Sequence, residues 1–169
     1  SGAMASASLI SGSDVTTIRF EQFARKAPVV ESNGARVEQH HIAGVRVGMF
    51  FAGRPVRGVH PPFEIGFPIP RGSQRVVAGI GLMPGAYQGE NKTDGVEFTF
   101  VLRHADGRTE TLGRRLLDPL HQPGDRGIQA LEFNLPLLPD GSVLLVRTGP
   151  GPRENFAWDW AVLQTLIIE

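Results

Sequence analysis

The feature that most constrains this chain is a run with the period-two pattern of a strand, Thr93-Asp94-Gly95-Val96-Glu97-Phe98-Thr99-Phe100-Val101-Leu102-Arg103. Successive side chains of a strand point to opposite faces, so Val96, Phe98, Phe100 and Leu102 share one side, with Glu97, Thr99 and Arg103 on the other. A strand with one such apolar face needs a second layer over it. Asn155-Phe156-Ala157-Trp158-Asp159-Trp160-Ala161 suggests where that layer lies. If this segment is extended, Phe156, Trp158 and Trp160 share a face on which a second sheet closes over the first. The expectation is an antiparallel β-sandwich that serves as a binding or interaction domain.

Turn signals elsewhere agree. Asn33-Gly34 and Ala105-Asp106-Gly107 are hairpin sequences, because tight hairpin turns need residues that tolerate positive φ. Strand-like runs are expected at Val15 to Phe20, Val29 to Glu31, Ala35 to Ile42, Val45 to Phe51, Phe63 to Phe67, Arg75 to Leu82, Val96 to His104, Arg108 to Leu112, Ile128 to Leu135, Val143 to Thr148 and Trp160 to Ile168. Glu21 to Lys26 reads as a helical turn or a loop closed by Pro28. With 21 glycines and 13 prolines, this is the punctuation of a sandwich or barrel rather than of a βα repeat.

A length of 169 residues suits one domain with a substantial core. Ser1-Gly2-Ala3-Met4-Ala5 reads as a protease scar and cloning remnant, and residues 1–14 as that remnant plus a flexible lead-in, leaving 15–169 as a single sandwich domain. The 17 basic and 17 acidic side chains cancel, so no global field favours nucleic acid or an anionic membrane surface. No apolar run is long enough to span a bilayer. The absence of cysteine excludes a disulfide framework, a thiol nucleophile and a thiolate metal site.

Catalytic motifs are missing. Gly79-Ile80-Gly81-Leu82-Met83-Pro84-Gly85 has proline where a dinucleotide loop needs its third glycine and the start of a helix, so it reads as a strand with close backbone neighbours. His40, His41, His60, His104 and His121 form no metal-ligand spacing, and no Gly-x-Ser-x-Gly elbow is present. Asp106 and Asp140 precede glycine in hairpins and read as turn formers. Asp159, between two tryptophans, must be paired or hydrogen-bonded if buried. A hydrogen-bonded structural contact is the first reading and a structural calcium ligand the alternative. Tyr87, in a glycine-rich loop, and Trp158 are the aromatic candidates for stacking on a sugar ring. Trp160, at the head of a hydrophobic strand, is expected in the core. Arg114, Arg115 and Arg126 could fork onto hydroxyls or carboxylates.

Gly58-Val59-His60-Pro61-Pro62-Phe63-Glu64-Ile65, Gly79 to Tyr87, Thr93 to Phe98 and Asn155 to Ala161 together resemble galactose-binding-like jelly-roll sandwiches of the kind called novel putative carbohydrate-binding modules. The resemblance implies a non-catalytic, carbohydrate-binding-module-like domain of a larger extracytoplasmic protein, periplasmic or secreted. On this reading Tyr87, Trp158, Arg126 and His60 are the ligand-binding candidates, and a glycan or an adjacent domain of the same protein is the partner. The alternative is an interaction or scaffolding domain that packs on a neighbouring enzyme or membrane domain without binding free sugar. Neither nucleic acid nor membrane insertion by this segment is expected. No cofactor is required apart from the calcium considered at Asp159.

Overall fold

The computed structural model describes the backbone of residues 9–12, 15–19, 30–32, 35–37, 49–51 and 54–169, and the side chains of Phe51, Val56 and residues 58–169. Every strand pair among the described residues is antiparallel, and the strands form two principal sheets. The first sheet holds β1 (Leu9–Gly12), β2 (Val15–Arg19), β5 (Met49–Phe51), β6 (Arg54–Gly58), β8 (Arg75–Leu82), β11 (Gln129–Asn134) and β13 (Ala161–Ile168). Here β13 is central, with β8 along one side and β6 followed by β2 along the other. The second sheet has the order β10-β9-β12-β7, from β7 (Phe63–Pro68), β9 (Val96–Arg103), β10 (Thr109–Leu117) and β12 (Val143–Pro150). A separate pair joins β3 (Val30–Ser32) to β4 (Ala35–Val37).

The alternation that opened the sequence reading sets the core. Val96, Phe98, Phe100 and Leu102 of β9 are buried beside Phe63, Ile65 and Phe67 of β7 and Leu144 and Val146 of β12. Val76, Ala78, Ile80 and Leu82 of β8 and Ala161, Leu163, Leu166 and Ile168 of β13 come from the facing sheet. Phe133 of β11 reaches across the layers to Phe100, with ring centroids 4.9 Å apart. Burying each large apolar side chain contributes about 1.5–3 kcal/mol, and the long apolar faces of the central strands concentrate that gain between the sheets.

Both hairpin signals are realised. Ser32 and Ala35 are partners, leaving a two-residue connection at 33–34. In the other hairpin Gly107 takes a φ of 90° and Asp106 Oδ1 accepts from the Arg108 N–H. Gly79 and Gly81 lie inside β8, as a strand rather than a phosphate loop. Leu9–Gly12, within the expected lead-in, pairs with β2. Glu21 to Lys26, Val29, 38–42 and 45–48 lie outside the described residues.

One expectation fails. Asn155 to Trp160 is not a strand, because β13 begins at Ala161 and Trp158 has a φ of 63°. The three aromatic residues therefore close no sheet-on-sheet interface. Phe156, Trp158 and Trp160 stand on a loop and are 41%, 39% and 40% exposed.

The register gathers four loops at one end of the sandwich. Val96 at the start of β9 pairs with Pro150 at the end of β12 and Leu117 at the end of β10. Ala161 at the start of β13 pairs with Leu82 at the end of β8, and Val162 with Gly58 at the end of β6. The connections 59–62, 83–95, 118–128 and 151–160 consequently share an end. Connections 69–74, 104–108 and 135–142 lie at the other.

Candidate functional site at the loop end

Asp159 organises this end. Its side chain is fully buried, and Oδ1 accepts a 2.6 Å hydrogen bond from the Thr93 hydroxyl, which itself accepts from the Gly95 N–H. Oδ2 is buried without a hydrogen-bond partner. The carboxyl is pushed up to about 7: burial raises it most, the Thr93 hydroxyl offsets part of that, and the neighbouring Asp94 adds to it. The physical cause is that an ion loses its hydration in this position and gains only one donor in return. Asp159 thus makes a buried hydrogen bond to Thr93 that links the 151–160 and 83–95 loops. Among the described residues no group of three histidine or acidic side chains gathers as a metal site.

Around Asp159 the backbone is pinned on both sides. The Trp160 carbonyl accepts from the Met83 N–H at 2.9 Å, and the Asp159 carbonyl from the Ala161 N–H at 2.7 Å. Asn155 Oδ1 accepts from the Ala157 N–H at 2.8 Å, a side-chain turn that bends the loop back. Trp158 sits in the left-handed region, which side chains other than glycine enter at a cost of about 1–2 kcal/mol. With Asp159 turned inward, the neighbouring indoles face water and lie 5.2 Å apart between centroids, tilted by 56°.

Trp160 is therefore a surface residue and not the core residue expected from its place before a hydrophobic strand. Its six-membered ring covers Gly85, where a Cβ would come within 2.6 Å of the indole. Glycine at 85 gives the ring its seat. That glycine lies in a single 3-10 turn, Pro84–Ala86, followed by Tyr87.

The other candidates divide. Tyr87 is half-buried against the core, and the Arg126 guanidinium carbon lies 5.4 Å from its ring centroid. Arg126 Nε also donates to the Pro119 carbonyl at 2.8 Å, so this pair ties the 83–95 loop to the 118–128 loop. Arg115 bonds Asp125 at 3.0 Å inside the same region, whereas Arg114 is exposed on β10. His60 lies on the 59–62 loop with Nδ1 2.7 Å from the Pro61 carbonyl.

Beside the tryptophan loop opens a groove of about 610 Å³ that no sequence motif announced. Lys92 and Asp94 reach it from the 83–95 loop, Asp118 and His121 from the 118–128 loop, and Arg153 and Asn155 from the tryptophan loop. Asp94 Oδ2 accepts from the Arg153 N–H at 3.1 Å, and Asp118 bonds the His121 imidazole at 3.0 Å. These residues occupy short polar stretches just beyond strand ends. Their one sequence signal is that antiparallel register brings such stretches together.

No known family model matches the chain. An uncharacterized protein of Archaeoglobus fulgidus is 34% identical over 83 residues, which are 48% of this chain and 20% of that protein, so the chain matches only a small part of its curated relative. Among solved structures, the CBM51-2 and INT domains of Clostridium perfringens ZmpB match at 12% identity and a TM-score of 0.49, over 85% of this chain and 25% of that one. The same CBM51-2 domain in complex with GlcNAc matches at 13% identity and a TM-score of 0.48, over 96% and 29%. The tandem CBM51 modules of Sp3GH98, a family 98 glycoside hydrolase from Streptococcus pneumoniae, match at 15% identity and a TM-score of 0.44, over 96% and 44%. The solved structures that this chain is similar to thus include carbohydrate-binding modules.

Proposed function

We propose that this chain is a non-catalytic glycan-recognition domain of a larger extracytoplasmic protein, with its binding surface at the loop end of the sandwich. The observation that carries the reading is the exposed Trp158–Trp160 pair, fixed on a buried clasp, on a loop whose Arg153 and Asn155 line a groove. The apolar faces of a sugar ring stack on indoles, and its hydroxyls need donors and acceptors at the platform's edge. Tyr87 and Arg126 brace the adjoining loops. His60 serves the 59–62 loop of the same end.

A glycan array followed by isothermal titration of each hit tests this directly. Binding to a saccharide, abolished in a folded Trp158→Ala/Trp160→Ala double variant, is the expected result. Silence across plant, microbial and host glycans would overturn the reading.

A second reading, docking on a neighbouring domain, is favoured by one observation at the opposite end. Leu137 is 95% exposed on the Leu135-Pro136-Leu137-Leu138 turn, beside a cavity of about 320 Å³. Loss of co-purification with an attached domain on Leu137→Ser, with sugar binding absent, would favour that reading instead.

A further inference from the structure

We infer that the groove beside the tryptophan loop selects acidic saccharides, those carrying a carboxylate or a sulfate, over their neutral counterparts. This rests on the glycan reading above and names the class of ligand.

The groove's two acids are turned into the protein. Asp94 Oδ1 is buried without a hydrogen-bond partner, and Oδ2 accepts from the Arg153 backbone N–H, which docks one loop on another. Asp118 accepts from the His121 N–H and from its imidazole, and its side chain is only 21% exposed. Carboxylates held in this way orient loops and present little of themselves to a ligand.

The cations are placed in the reverse sense. Lys92 and Arg153 both line the groove and both are exposed. No hydrogen bond or ion pair is formed by either side chain among the described residues. The guanidinium offers a planar fork suited to a carboxylate or sulfate, and the ammonium a movable point charge. Asn155, whose Oδ1 is committed to the Ala157 N–H, keeps its amide donors for the same space. The chain as a whole is electrically neutral, so this preference is local and does not extend to polyanions in general. A sugar seated in the groove would meet Lys92 and Arg153, which both line it, with any acidic substituent it carries.

The test uses the intact chain and paired probes: an oligogalacturonide and its methyl ester, a sulfated galacto-oligosaccharide and its desulfated form, and inorganic sulfate alone. The acidic member of at least one pair should bind at least tenfold tighter than its neutral partner. That advantage should shrink as sodium chloride rises from about 50 to 500 mM, since exposed charges are screened over a few ångströms at high salt. In the Lys92→Gln/Arg153→Gln variant the acidic member should lose at least tenfold more affinity than its neutral partner, at an unchanged melting temperature. Equal affinity within every pair, or equal loss of neutral and acidic binding in that variant, would overturn the inference and leave the glycan reading standing. Binding of inorganic sulfate as tight as that of the acidic saccharide would also overturn it, by identifying a free-anion site. Absence of binding to any saccharide would refute the glycan reading itself.

Discussion

Replacing Asp159 with asparagine should make the protein more stable above neutral pH, with an advantage of only about 1 kcal/mol near pH 4.5. The carboxyl is fully buried, and its folded pKa is raised from 3.8 to about 7. Between these values the folded chain holds a proton that the unfolded chain releases, so stability falls as pH rises through the window and levels off above about 7. Each tenfold change in proton affinity is worth about 1.4 kcal/mol, and the two values differ by about three decades, which sets a ceiling of about 4 kcal/mol. Asparagine keeps an oxygen for the Thr93 hydroxyl and cannot ionise, so it removes this loss. Urea denaturation of both proteins at half-unit steps from pH 4.5 to 8.5 measures it. The curves should diverge progressively, with the variant ahead by about 2–4 kcal/mol at pH 8. Parallel curves, or a variant that is weaker by the same amount at every pH, would refute the account of Asp159 as a carboxyl that ionises against its surroundings.

Three further outcomes follow from the same geometry. Thr93→Val deprives both the Asp159 carboxyl and the Gly95 N–H of their partner, and should cost about 1–3 kcal/mol in urea denaturation; an unchanged midpoint would deny the clasp. Gly151→Ala would place a Cβ 2.2 Å from the Asp94 carbonyl oxygen, and overpacking against backbone should destabilise by about 2–3 kcal/mol, read as a lowered melting temperature. Trp160→Ala should cost less than about 2 kcal/mol, below the range for fully buried aromatics, because the indole is 40% exposed; a larger loss on denaturation would return Trp160 to the core.

The sequence revealed the sandwich because strand alternation depends on adjacent residues alone. Val96 to Leu102, Leu131 to Leu135 and the two hairpin turns needed no knowledge of what they would meet. Trp158 and Trp160 misled for the same reason. Alternation in Phe156-Ala157-Trp158-Asp159-Trp160 imitates a strand, but the φ of 63° at Trp158 breaks the extended path and reverses inside and outside. The clue was Asp159 itself. In an extended segment with its aromatics buried, an acid on the opposite face meets water, whereas here Thr93, 66 positions earlier in the chain, supplies a buried donor. Tyr87 and Arg126 were singled out separately, and only the fold sets one ring under the other's guanidinium. The groove was invisible for a related reason: Lys92, His121 and Arg153 belong to three loops, and nothing local links them.

The close of β13 has a practical consequence. The Glu169 carbonyl accepts from the Gln74 and Arg75 N–H groups, beside the connection 69–74 and at the opposite pole from the tryptophan pair. A flexible tether fused after Glu169 would leave the indoles facing the bulk solution, so anchoring to a sensor chip or a bead through that terminus preserves access for large polymers. Coupling through surface amines is the worse choice, because Lys92 sits in the groove and its chemical capture would foul the very surface to be measured.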